Sequence, residues 1–368
     1  REEKPQELKY RMQKFFKREL RKNVQAFISY TNRHAVTKLF SPTDEEEELR
    51  IRFENYLKDP ESIALPALAN GFLKMIYFKL LASSSFALKN SLSNLYIKLI
   101  LLSVSIENRD LYEELISTIN MRLTLSNGKR SQELLDFEKK LYHNVTSKSF
   151  DGLKEYLQTN QDNKRINIDN DIEIQNNYSD EDLEEIEKEN LKIIHDPEKI
   201  RVEATLILDL IQLSRVITEN TKGSALITAL QEQFKRAKEE GWPEKAVIFT
   251  EFKTTQKYVI HLLEELGLDI NRDVVVFNGD SGDADERRQL VDDFKNSKKI
   301  FLTTEAGSEG LNLQFANLII NYDLPWNPQR IEQRIGRCHR YGQKLDVVVV
   351  NFLNSKNYAD ARVLELLT

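Results

Sequence analysis

Residues 333–343 read QRIGRCHRYGQ, and just upstream stand Arg330 and, at 325–328, PWNP. Four arginines, at 330, 334, 337 and 340, thus gather in one short segment of a chain whose net charge is −6. On a helix at about 100° per residue, Arg330, Arg334 and Arg337 fall within about 60° of one another, with Gln333 and Arg340 at the edge of the stripe. Ile331, Ile335 and Cys338 fall on the other side. Asn327 followed by Pro328 supplies an N-cap residue and then proline at the first helical position. The spacing predicts a helix over 328–338, seated by a small apolar face and presenting guanidinium groups outward. Surface helices often carry arginines only for solubility and ion pairing, but here a single acid, Glu332, lies within the run to pair with them.

Working outward, the chain from about residue 223 alternates regularly. Short apolar runs rich in β-branched residues occur at 245–250 (KAVIFT), 273–277 (DVVVF), 299–303 (KIFLT), 317–322 (NLIINY) and 346–352 (DVVVVNF). Amphipathic stretches at about 225–240, 252–267, 284–296 and 328–338 separate them. Apolar strands separated by helices predict an α/β lobe with at least five strands in a largely parallel sheet, covered by helices on both faces. Loops at the carboxyl ends of such strands are where ligands bind.

The preceding region reads as mainly helical. SPTD at 41–44 before EEEELRIRFENYL is a helix start with acids in its first turn, where they complement the macrodipole. Residues 66–106 are strongly apolar helical core. Segment 161–200 is a solvated acidic linker or insertion, with seven acids and one lysine in SDEDLEEIEKEN at 179–190. With 368 residues, 40% hydrophobic and 30% charged, the chain is long enough for two or three domains. No apolar run reaches the ~18–20 residues that span a bilayer, so no membrane partner is expected. One cysteine excludes a disulfide framework and a cysteine zinc site and suggests a reducing compartment. The five histidines, at 34, 143, 195, 261 and 339, stand singly, so no metal ligands are assigned. A net negative surface confines any nucleic-acid contact to a local groove. A first residue of Arg1 rather than Met suggests an excised piece.

The link between the strand at 299–303 and the basic helix reads TTEAGSEGLNLQFANLIINYDLPWNP (303–328). Gly307 and Gly310 let backbone pass close to a ligand, and Thr303, Thr304 and Ser308 supply hydroxyls and amides where a phosphate would be expected. The order strand, Gly-rich loop, strand, DLPWNP, arginine helix resembles the second RecA-like lobe of superfamily 2 helicases and translocases. KAVIFTEF resembles motif IV, TTEAGSEGLNL motif V and QRIGRCHR motif VI. HRYGQ together with YDLPWNP is similar to the Swi/Snf-type DNA translocases, and Glu305 with EAGSEG to their bacterial RapA-like branch. The resemblance covers 223–368 well; the helical region, 41–222, fits that family's helical insertions more loosely, and 1–40 fits a junction from an upstream RecA-like lobe.

The resemblance implies a motor that hydrolyses ATP with Mg²⁺ between two lobes and moves along double-stranded DNA. It implies Arg337 and Arg340 as arginine fingers with Gln333 beside them. Gly310, Asn312 and Gly336 would line the nucleotide cleft, Gly336 by permitting close approach. Thr304, Ser308, Gly307 and Gly279 would read the DNA backbone. Arg330 and Arg334 would either join the cleft or pair with acids, His339 would be structural or a participant, and Trp326 would anchor motif V to motif VI. No G-x-x-x-x-G-K-[ST] occurs, and the acidic runs DEEEE and DEDL do not follow a strand pattern. The nucleotide-binding lobe and most of the metal's ligands would therefore lie upstream, and this chain alone would be inactive. A cytoplasmic setting in a bacterial cytosol or nucleoid, and a protein partner for the helical region, complete the expectations. A strand-separating DNA or RNA helicase and a non-catalytic binding module remain open as alternatives.

Overall fold

The computed structural model describes residues 31–65, 70–124, 142–143, 145–159, 195–217, 220–305, 310–325 and 327–354. Its centre is a six-stranded sheet built from β1 (Arg33–Phe40), β2 (Ala246–Thr250), β3 (Val274–Phe277), β4 (Ile300–Thr304), β5 (Leu318–Asn321) and β6 (Val347–Asn354). The order is β1-β6-β5-β2-β4-β3, and every pairing is parallel. All five strands expected beyond residue 223 form. The sixth, β1, comes from RHAVTKLF, a segment read from the sequence as part of a junction. It pairs with β6 over its whole length, from Arg33 beside Val347 to Phe40 beside Asn354. Its charged residues and mostly exposed face suit an edge strand, and they hid it from a search for apolar runs.

Alternation along each strand sends neighbours to opposite faces, and both faces are dry. Ile248, Leu302, Ile320 and Val350 share one core with Leu226, Leu230, Val259 and Leu263. The latter belong to α7 (Thr221–Glu239) and α8 (Lys253–Glu265). Val247, Phe249, Phe301, Ile319 and Val349 share the opposite core with Phe294, Ile331 and Ile335. Those come from α10 (Ala284–Asn296) and α11 (Pro328–Cys338). The short α9 (Ile270–Asp273) leads into β3. Gly223 sets the spacing of α7 on α8: a Cβ there would lie 2.6 Å from the Tyr258 hydroxyl and 2.8 Å from Leu262 Cδ1.

The remaining helices lie between β1 and β2 in the chain. They are α1 (Asp44–Lys58), α2 (Asn70–Ser83), α3 (Ser85–Ser105), α4 (Arg109–Thr124), α5 (Phe150–Thr159) and α6 (Pro197–Val216). Thr43 caps α1 in a capping box with Glu46, as the acids of the first turn led one to expect. The acidic run at 44–48 therefore does follow a strand, β1, contrary to the sequence reading. Its carboxylates serve the helix start and Arg50, which Glu47 and Glu54 flank. Helix α3 is buried on all sides from Phe86 to Val104 and forms the axis of the helical region, packed by α2, α4, α5 and α6. Among the described residues no helix is long and apolar enough to cross a membrane. Residues 1–30 and the acidic stretch 161–194 lie outside the described residues.

Candidate nucleotide and nucleic-acid site

Helix α11 occupies the span its spacing predicted. Asn327 accepts a hydrogen bond from the Gln329 amide at 2.9 Å, and Pro328 opens the first turn. Ile331, Ile335 and Cys338 are buried against the sheet, and burial pushes the Cys338 thiol up from its ordinary range. Two sets of hydrogen bonds fix the helix's far end. Leu313 N–H donates to the Arg337 carbonyl at 2.9 Å, joining the glycine-bearing loop directly to the basic helix. The Gln343 side-chain amide donates to the carbonyls of Gln314 (2.8 Å), Ala316 (3.0 Å) and Cys338 (3.2 Å). This clamp escaped sequence reading; Gln343 after Gly342, whose φ is 97°, was its only signal.

The four arginines part company here. Arg334 does not face outward as expected but is 2% exposed. Its guanidinium donates to Glu305 Oε2 at 2.6 Å, Asn321 Oδ1 at 3.1 Å and the Asp323 carbonyl at 2.6 Å, and it lies 5.2 Å over the Phe249 ring. The pairing with an acid that was one of its two alternatives is thus the one found. Glu332, the single acid of the run, turns to Arg33 of β1 instead, at 2.7 Å. Arg330, Arg337 and Arg340 consequently have no side-chain partner among the described residues, and Gln333 beside them is exposed. His339 makes the structural hydrogen bonds of one of its two readings: its Nε2–H donates to the Thr31 carbonyl at 2.7 Å, and its own amide closes α11 on Ile335.

The loop positions sort less uniformly. Gly310 takes a φ of 78°, and among the described residues no atom lies within 4 Å of where a Cβ would stand. Asn312, close by, is exposed. Gly336 likewise faces open space: among the described residues no atom lies within 4 Å of where its Cβ would stand. Thr304 is wholly buried and its hydroxyl has no partner among the described residues, so it is not presented at the surface to a strand of nucleic acid as expected. It ends β4, a strand paired on both sides by β2 and β3 within the sheet. Gly279 gives its carbonyl to Arg287 at 3.0 Å in a turn that also holds Asp280 against Lys253. Gly307, Ser308 and Trp326 lie outside the described residues.

Beneath this surface runs a buried polar chain that sequence reading missed. Asp323, in DLPWNP, accepts from Lys222 Nζ (2.9 Å) and from the Glu251 amide (2.9 Å). Lys222 also donates to the Ala82 carbonyl at 2.9 Å, near the end of α2, and sits 4.5 Å over the Tyr322 ring. The Glu251 carboxyl is raised by its burial, with Lys79 at 2.9 Å pulling the other way. A cavity of about 590 Å³ opens alongside, where α1, α2 and the carboxyl ends of β1, β2, β5 and β6 meet. Its charged groups are already paired with one another, as in Arg50 with Glu47 and Glu54.

Comparison with known proteins matches residues 222–342 to the helicase conserved C-terminal domain. The uncharacterized ATP-dependent helicase YqhH of Bacillus subtilis is 44% identical over 126 residues, 34% of this chain and 21% of its own length. The ISWI chromatin-remodeling complex ATPase ISW1 of Saccharomyces cerevisiae is 33% identical over 149 residues, 39% of this chain and 12% of its own. The RNA polymerase-associated protein RapA of Vibrio cholerae is 48% identical over 62 residues, 17% of this chain and 6% of its own. The chain thus spans about a fifth or less of each of these relatives. Residues 222–342 thus match the helicase conserved C-terminal domain on an all-parallel α/β sheet, and the relatives above are named as an ATP-dependent helicase, a chromatin-remodeling complex ATPase and an RNA polymerase-associated protein.

Proposed function

We propose that this chain supplies the second RecA-like lobe, 223–368 with the edge strand β1, and the helical insertions, 41–222, of an ATP-driven translocase on double-stranded DNA. The observation that carries the reading is the division of labour on α11. Arg334 locks the helix from behind, while Arg337 and Arg340 stand with Gln333 at the surface with no partner of their own among the described residues. Unpaired guanidiniums on a rigid support, beside the open backbone at Gly310 and Gly336, suit a polyanion presented from outside. The facing lobe would hold the nucleotide phosphates and most ligands of Mg²⁺. Closing the cleft would bring the guanidiniums to the γ-phosphate, where they offset the charge that develops during phosphoryl transfer; opening it would withdraw them. Gly307, Ser308 and Gly279 would contribute amides to the DNA backbone, a contact that tracks phosphate and carries no sequence preference.

On this reading the chain alone turns over no ATP, its single cysteine suits a reducing cytosol, and the helical region is free to dock a protein through the exposed Val202, Leu206 and Val216 of α6. The experiment is steady-state ATPase of the full-length protein with and without duplex DNA, alongside a strand-displacement assay. DNA-stimulated turnover without displacement supports a translocase. Displacement of a strand would favour the helicase reading, and no turnover at all the binding module.

A further inference from the structure

The last turn of α2 is fastened to the α/β lobe at three places. Lys79 pairs with Glu251 at 2.9 Å, the Ala82 carbonyl accepts from Lys222 at 2.9 Å, and Ser83 Oγ lies 2.6 Å from Thr255 Oγ1. Two of them, through Lys79 and through Lys222, lead inward to the same spot. Glu251 and Lys222 both bond the carboxylate of Asp323, and the Asp323 carbonyl holds Arg334. Arg334 stands one turn before Arg337 on α11, so an unbroken path of buried hydrogen bonds runs from the helical region to the base of the basic helix. Lys222 is the member whose one side chain spans the gap directly, only 7% exposed and bonded on one side to α2 and on the other to Asp323, while Lys79 reaches Asp323 by way of Glu251. Such a path is expensive to build: a buried ammonium loses its hydration, and only full pairing offsets the loss. The apolar face of Ile331, Ile335 and Cys338 already seats α11, so the path is not needed merely to attach the helix.

We infer that Lys222 is a positioning residue. It transmits the seating of α2 to the loop at 321–324 and through Arg334 to α11, setting where the Arg337 and Arg340 guanidiniums stand when the cleft closes. The helical region would then govern turnover without touching nucleotide. This inference rests on the finger assignment above. An arginine finger is sensitive to such control, because a displacement of about 1 Å in a group that stabilises the transition state costs up to roughly a hundredfold in rate.

The test is a double-mutant cycle in the full-length protein, comparing Lys222→Met, Arg337→Ala and the pair with the parent for kcat and KM under saturating duplex DNA. Lys222→Met should lower kcat by about tenfold or more while the KM for ATP stays within about threefold, since the lost contact is one made in the transition state. In the Arg337→Ala background the same change should cost less than about twofold, because the group it positions is gone. Full additivity would overturn the inference and reduce Lys222 to a fold-stabilising residue. Normal turnover of Arg337→Ala alone would instead overturn the finger assignment itself. Should Lys222→Met melt below the assay temperature, Lys79→Met takes its place, removing one fastening on the α2 side. It is expected to show the same non-additive loss in smaller measure, and an additive loss would again refute the coupling.

Discussion

The two sides of α11 are made of overlapping residue types and do opposite things. Inward, Ile331, Ile335 and Cys338 are buried with Arg334, whose guanidinium is consumed by Glu305, Asn321 and the Asp323 carbonyl. Outward, the side chains of Arg330, Gln333, Arg337 and Arg340 bond nothing among the described residues. The difference shows that an arginine's role is fixed by what lies opposite it, not by its count in a motif. Arg334 is about 60° from Arg337 around the helix but only about 40° from Cys338, so a long side chain there can swing to either side. An acid and two oxygens waiting within the lobe decide the matter.

The sharpest way to break this comparison is to delete one arginine from the outward side. In the full-length protein Arg337→Ala or Arg340→Ala should lower DNA-stimulated ATP turnover by roughly 10³-fold or more, the usual scale for an arginine finger. Melting temperature should hardly move, since neither guanidinium has a partner to lose among the described residues. Arg337→Lys should fail as well, because an ammonium cannot reproduce the planar fork on phosphate oxygens. Near-normal turnover, or a loss that merely follows a fallen melting temperature, would make both sides of the helix structural.

The inward arginine should answer in stability. Arg334→Ala leaves Glu305, 17% exposed, without its cation and strips two carbonyl oxygens of their donor. Removing one member of a buried pair costs about 3–5 kcal/mol. Chemical denaturation of the chain itself, without ATP or DNA, measures this. An Arg334→Ala midpoint equal to the parent's would mean that the pairing contributes nothing to the fold. Ile335→Ala, which opens a hole between α11 and the sheet, should cost about 2–4 kcal/mol in the same assay.

How much of this was legible in the sequence follows from the range over which each feature is decided. Helix α11, its Asn327 cap and its apolar face were readable, because cap, proline and spacing act within four residues. The strands from Ala246 onward were readable from their apolar runs, and Val247 against Ile248 shows why such runs lack alternation: each face of the sheet has its own core. Strand β1 was missed because Arg33, His34 and Lys38 give an edge strand the look of a loop. The burial of Arg334 was missed because its partners lie 11 to 29 residues away in sequence and meet it only through the sheet. The Lys222–Asp323 pair spans 101 residues, and no local pattern marks either member.

The smallest expected effect concerns the one glycine of α11, which sits between the two sides. A Cβ at Gly336 would meet nothing within 4 Å, and its helical backbone needs no positive φ. Replacing glycine by alanine inside a helix normally stabilises by about 0.5–1 kcal/mol, because the unfolded chain loses freedom that the helix does not require. In the isolated chain Gly336→Ala should therefore raise the melting temperature slightly. The full-length protein should respond differently if the open space is filled by a facing lobe when the cleft shuts. A methyl beside Arg337 would then hold the two surfaces apart, and turnover should fall while stability rises. The two readouts moving in opposite directions would give the space above Gly336 a partner that this chain does not contain. A stabilised protein with unchanged turnover would remove Gly336 from the cleft and confine the closing surface to the side of α11 that carries Gln333 and Arg337.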